Sequence, residues 1–140
     1  MTTRADVIAE ARTWAGTPFH HQARLKGVGC DCIGLVLGVG RALGLLPPGL
    51  DATGYARQPD GSSLRDGFDR YGVPLAIEQV RPGDILLMRI RRDPQHVGIL
   101  LPGGAIIHAH SAVGRVVEVP LDERWMERVL GAYAYPGLEG

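Results

Sequence analysis

Two cysteines one residue apart, Cys30 and Cys32, and five histidines, His20, His21, His96, His108 and His110, are the side chains best suited to covalent chemistry. Cysteines separated by a single residue cannot close an ordinary structural disulfide without unusual local strain, so they require another explanation. Cys32 follows Asp31 and opens the apolar run Cys32-Ile33-Gly34-Leu35-Val36-Leu37-Gly38-Val39-Gly40-Arg41-Ala42-Leu43, which reads as a buried helix with Asp31 as its N-cap. A thiol at that position meets unpaired backbone N–H groups and the positive end of the helix dipole, both of which favour the thiolate. Cys32 is therefore the candidate nucleophile, with a small buried hydrophobe as the alternative. Cys30, in the loop before the helix, gains less from the dipole.

A thiol nucleophile needs a base that accepts its proton and later returns one to a leaving amine, and histidine suits both steps. His96 heads the apolar stretch Val97 to Leu101, and His108 and His110 lie beyond Pro102-Gly103-Gly104. A three-residue hairpin loop puts His96 opposite His110 with His108 on the diagonal, whereas a five-residue loop puts it opposite His108. Either odd loop places the imidazoles on one sheet face within reach of a ring-to-ring hydrogen bond. His96 is the candidate base and His108 the partner that fixes its tautomer. Such a pair also predicts a bell-shaped pH–rate profile. No metal is expected: C-x-C and H-x-H lack the two-to-five-residue gaps of common zinc sites, and residues one apart diverge on a regular element.

The elements that must position these groups change character along the chain. Helical spacing over Arg4 to Trp14, with Thr2 or Thr3 as cap, precedes the buried helix. Its glycines cost intrinsic helicity but admit close neighbours. Pro47 to Ser63 is turn chemistry, and a third helix is predicted over Leu64 to Tyr71. From Arg81 onward short apolar or alternating runs predict strands at Ile85 to Ile90, Val97 to Leu101, Ala105 to Ala109, Arg115 to Val119 and Val129 to Tyr135. Helices first and strands after indicate an α+β fold, with N-terminal helices packed on a five-stranded antiparallel sheet. The 140 residues suit one domain, 1–140.

Equal numbers of basic and acidic residues, 15 each, give no basic excess of the kind a nucleic-acid or membrane-surface binder needs, and neither partner is expected. Arg89, Arg91 and Arg92 read as a solvated strand end. The first residues lack the apolar core of a secretory signal, and Arg41 and Pro47-Pro48 interrupt the longest apolar run well short of a membrane span.

The motifs Asp31-Cys32-Ile33-Gly34-Leu35, Arg81-Pro82-Gly83-Asp84-Ile85, His96-Val97-Gly98-Ile99 and Ile107-His108-Ala109, in that order, resemble those of the NlpC-type cell-wall peptidases, a papain-like family. The likeness extends from Ala11-Arg12-Thr13-Trp14-Ala15-Gly16-Thr17-Pro18-Phe19 to Ala132-Tyr133-Ala134-Tyr135-Pro136. It implies a papain-like fold and a catalytic triad on Cys32, His96 and His108, with no cofactor. The family typically cleaves between D-glutamate and diaminopimelate in the peptidoglycan stem peptide, the substrate implied here. Thr17-Pro18-Phe19-His20-His21-Gln22 and Gly27-Val28-Gly29-Cys30-Asp31-Cys32 most resemble the branch carried by phage tails and gene transfer agents. That branch implies tail or baseplate proteins as partners, synthesis in the cytoplasm without a signal peptide, and action at the cell wall from a tail tip.

Two positions depart from the pattern: Phe19 stands where most members have tyrosine, and Ile33 where they have serine. Phe19, His21, Gln22 and Asp31 are the candidates for substrate or oxyanion contacts, with the backbone N–H of Cys32 as first oxyanion donor and the Gln22 amide as second. The readings carried beside the endopeptidase are an amidase or transpeptidase on the same triad and a structural tail-tip subunit whose triad is unused.

Overall fold

The computed structural model describes residues 1–46, 63–90 and 93–139. The turn-rich stretch from Pro47 and the pair Arg91 and Arg92 therefore lie outside the described residues, apart from Ser63. Helix α1 spans Arg4–Arg12, shorter at its C-terminus than its periodicity suggests. Thr3 and Asp6 cap it reciprocally, the Thr3 hydroxyl oxygen accepting from the Asp6 N–H and the Asp6 carboxylate from the Thr3 N–H. A two-stranded ribbon, β1 (Arg24–Leu25) and β2 (Gly29–Cys30), precedes helix α2, Cys32–Ala42. Helix α3, Ser63–Tyr71, leads into strand β3, Val73–Leu75. Four strands follow, β4 (Ile85–Ile90), β5 (Asp93–Leu101), β6 (Ala105–His110) and β7 (Arg115–Pro120). The one-turn helix α4, Glu123–Met126, and strand β8, Val129–Ala134, complete the order.

The α+β expectation holds with one correction: the main sheet has six strands, ordered β3-β8-β4-β5-β6-β7 with every pair antiparallel. The extra strand is β3. Pro74 lies within it and cannot donate to a ladder, which confines the segment to an edge.

Both sheet faces are covered, so the central strands read as continuous apolar runs. Ile85, Leu87, Val97, Ile99, Leu101 and Ile107 pack with α1 and α2 in one cluster. Leu86, Met88, Ile106 and Ala132 form a second with Leu100, Trp125 and Val129 on the opposite face. A buried carboxylate ties the first helix to the sheet. Asp84 accepts the Arg4 Nε–H at 2.8 Å and the Arg81 N–H at 2.9 Å, which accounts for the Arg81-Pro82-Gly83-Asp84 motif in structural terms.

The glycines of α2 admit close neighbours. A Cβ on Gly38 would fall 2.2 Å from the Trp14 ring, and one on Gly34 would fall 2.0 Å from the carbonyl oxygen of Ala23. That oxygen accepts the Asp31 N–H, so Gly34 lets the loop lie against the first turn of α2 beside Cys32. Gly34→Ala should destabilise the protein by about 1–3 kcal/mol, because a backbone oxygen cannot rotate away as a side chain can. Thermal unfolding of the variant measures this; an unchanged midpoint would show that the loop yields freely.

Candidate active site

Cys32 is the first residue of α2. The Asp31 carboxylate caps the helix, accepting the Gly34 N–H at 2.7 Å through Oδ1. Its other oxygen accepts the Gln22 N–H at 2.7 Å, and His21 Nδ1 lies 3.8 Å from it. Gln22 has φ +62, the left-handed region that costs an ordinary residue about 1–2 kcal/mol, and the charge-assisted bond to Asp31 offsets that strain. Three of the four residues considered for substrate or oxyanion contact thus form one structural knot, with Asp31 at its centre. The backbone N–H of Gln22 is committed to Asp31. Phe19 packs at the edge of the first core cluster and bridges to Cys30, its N–H donating to Gly114 O at 2.8 Å.

The hairpin between β5 and β6 takes the three-residue loop, since Leu101 pairs with Ala105, Leu100 with Ile106 and Ile99 with Ile107. Continued along the strands, that register sets His96 opposite His110 with His108 on the diagonal. The diagonal pair makes the bond: His96 Nε2 and His108 Nδ1 are 2.6 Å apart. His110 lies 6.1 Å from His96 and 5.1 Å from His108 between ring centroids, and the Ala112 N–H donates to its Nδ1 at 3.1 Å.

The sulfur of Cys32 meets β5 at the residue after His96. The backbone N–H groups of Val97, Ile33 and Cys32 itself are directed at it. Cys32 keeps 9% exposure and His96 6%, whereas Cys30 has none. All three are buried, with Cys32 and His96 each keeping a trace of exposed surface. His96 Nδ1 makes no hydrogen bond among the described residues, leaving that nitrogen uncommitted.

The electrostatics overturn one expectation. The helix start does not hold Cys32 as a ready thiolate: burial, followed by the negative charge of Asp31, pushes its thiol up to about 12 against the opposing pull of the backbone N–H groups. Burial and then Asp31 push Cys30 up to about 12 as well. On the base side, burial and then the field of His108, His110 and Arg128 hold His96 well below the usual histidine range. Burial and then His110 bring His108 down to about 4. Burial thus favours the neutral thiol at Cys32 and the neutral imidazole at His96.

These buried neutral imidazoles make stability pH-dependent. His108 ionises at about 4 in the fold and near 6.5 unfolded, so between those values the unfolded chain binds more protons and stability rises with pH. Stability present above pH 6.5 is lost as the pH falls through 4; at about 1.4 kcal/mol per unit, His108 alone accounts for roughly 3 kcal/mol. Chemical denaturation at pH 7 and pH 4 measures the difference. His108→Phe should flatten the dependence, and an equally steep slope in that variant would refute the assignment.

Among the described residues, no group of three or more His, Cys, Asp or Glu is arranged to hold a metal ion, and no helix is long and apolar enough to cross a membrane. Two contributors escape a reading of side-chain types. The Val97 N–H is a backbone group, and Trp125, which packs on the imidazoles, stands in a one-turn helix too short for periodicity to mark. The only sequence signal for that turn is Asp122, whose carboxylate accepts the Trp125 N–H at 3.1 Å.

A sequence model of the NlpC/P60 family matches residues 16–134. Among solved structures, the NlpC/p60 domain of the peptidoglycan hydrolase SagA superposes with a TM-score of 0.69 at 24% identity, over 95% of this chain and 99% of that one. An NlpC/P60 family protein from Bacillus cereus superposes with a TM-score of 0.72 at 23% identity, over 95% of this chain but 40% of its own length. The present chain thus spans about two-fifths of that relative. RipD from Mycobacterium tuberculosis, described as a non-catalytic NlpC/p60 domain protein adapted to peptidoglycan binding, gives 0.62 at 18% identity, over 96% and 97% of the two chains. No curated protein sequence matches the chain. At these identities the structural likeness establishes a shared fold.

Proposed function

The chain belongs to the NlpC/P60 family, and from that premise we propose that it is a cysteine peptidase cleaving the stem peptide of bacterial peptidoglycan. Cys32 is the nucleophile, His96 the base and His108 the residue that orients it. One observation carries the reading. The 2.6 Å bond to His108 occupies His96 Nε2, and the next residue along the strand, Val97, directs its backbone N–H at the Cys32 sulfur.

The chemistry follows from neutral partners. The Cys32 proton passes to His96 Nδ1 as the sulfur attacks the stem-peptide carbonyl, giving a tetrahedral oxyanion and an imidazolium. The imidazolium gives its proton to the departing amine as the carbon–nitrogen bond breaks and a thioester remains. Water, losing its proton to the same nitrogen, then releases the acid and regenerates the thiol. The Cys32 backbone N–H is the nearest oxyanion donor, and the reaction requires no cofactor.

The bond between D-glutamate and diaminopimelate is the proposed target, on the strength of the family motifs. Carriage in a phage-like tail tip or baseplate is supported by the wording of residues 17–22 and 27–32. The description of RipD makes peptidoglycan binding without catalysis the rival function. The intact His96–His108 bond favours catalysis in this chain. Mass analysis of soluble products from purified sacculi tests the proposal. New amino termini on diaminopimelate are expected. Stem peptides released whole from the glycan would make it an amidase, new cross-links a transpeptidase, and no product at all would refute hydrolysis.

A further inference from the structure

All three histidines pack against Trp125. Its ring centroid lies 5.2 Å from that of His108 with the planes at 83°, 5.9 Å from His96 and 5.8 Å from His110. The Asp122 cap fixes the backbone of the tryptophan, and the Arg128 guanidinium carbon lies 5.1 Å from the indole centroid.

His108 poses a question of valence. Its Nδ1 is joined to His96, while its Nε2 is fully buried with no hydrogen-bond partner among the described residues. Two tautomers of the neutral pair are possible. With the His108 proton on Nδ1, His108 donates to His96 Nε2, the His96 proton sits on Nδ1, and that nitrogen cannot accept from a thiol. With the proton on His108 Nε2, His108 Nδ1 accepts from the His96 Nε2–H, and His96 Nδ1 carries a bare lone pair. The productive state thus requires the His108 proton to stand on Nε2, the nitrogen without a hydrogen-bond partner among the described residues. An aromatic face can stabilise such an N–H, and the Trp125 indole stands nearly perpendicular to the His108 ring at 5.2 Å between centroids.

We propose that Trp125 is a positioning residue: its indole face receives the Nε2–H of His108 and so holds both imidazoles in the tautomers that leave His96 Nδ1 free for the Cys32 proton. The catalytic consequence rests on the peptidase reading, whereas the tautomer assignment stands independently of turnover.

Nitrogen-15 NMR of the histidine side chains reads the tautomers directly. Kinetics on a soluble muropeptide, for the wild type, Trp125→Phe and Trp125→Leu, read the consequence. The wild type should show both His96 and His108 protonated at Nε2. Phenylalanine keeps a face and should preserve that state with kcat within about threefold, whereas leucine should give mixed tautomers and a kcat roughly tenfold lower at little-changed KM. A wild-type His108 protonated at Nδ1, or a folded Trp125→Leu protein with unchanged tautomers, would overturn the assignment. Should the leucine variant not fold, the wild-type and phenylalanine spectra decide: Nε2–H in both supports it, Nδ1–H in either refutes it. A wild type with the expected spectra and no turnover would defeat the peptidase reading alone.

Discussion

Cys32→Ala is expected to lower the rate of sacculus hydrolysis by about 10⁴-fold or more, because losing the nucleophile removes the covalent route and leaves only binding and oxyanion contacts. Cys30→Ala, two residues earlier, should keep the rate within a few-fold. The contrast is demanding because burial and Asp31 push both thiols up to about 12, so acidity does not distinguish them. Position does. Cys30 has no exposed surface, its N–H donates to Pro18 O and its carbonyl accepts the His20 N–H. Cys32 opens helix α2, and the N–H of Val97, on the strand that carries His96, is directed at its sulfur. Initial rates of soluble fragment release by the two variants, with thermal unfolding to confirm that both fold, measure the contrast. Equal losses would mean that the choice of nucleophile is wrong.

The parts of this site that could be read from residue types are those fixed by local rules. Asp31 had to cap a helix beginning at Cys32, because an acidic residue preceding an apolar run satisfies orphan N–H groups, and it does so through Gly34. The strand period put the histidines on one face whichever loop joined them, and only the structure selects the three-residue loop and the diagonal bond. Depth was not legible. The helix start argued for a thiolate, but the desolvation of Cys32 depends on strands 50 or more residues away and outweighs the dipole. Strand β3 escaped notice because three residues containing a proline carry no period, and its place beside β8 is set by tertiary pairing. Trp125 went unmarked for a related reason: a single indole on a single turn gains meaning only from the rings it touches.

His96→Ala should bring hydrolysis down to the same floor as Cys32→Ala, and the double variant should fall no further. Residues that act as one unit lose their effect together, so a second removal takes away nothing that still operates. The neutral resting forms of both groups make this coupling tight. With its thiol pushed up to about 12, Cys32 has almost no thiolate of its own at neutral pH and depends on His96 to take the proton during attack. A cysteine already ionised would retain substantial activity after His96 is lost, and a residual rate well above that of Cys32→Ala would reveal it. The same neutral pair reshapes the bell-shaped profile expected from the sequence. The acid limb moves below the usual histidine value because protonation of His96 is disfavoured, while the alkaline limb recedes toward 12. Activity should therefore hold level from neutrality to about pH 9 and decline only on acidification, as the base is lost. A fall in kcat/KM between pH 7 and 9 would place an ionisation in the pair that this geometry does not support.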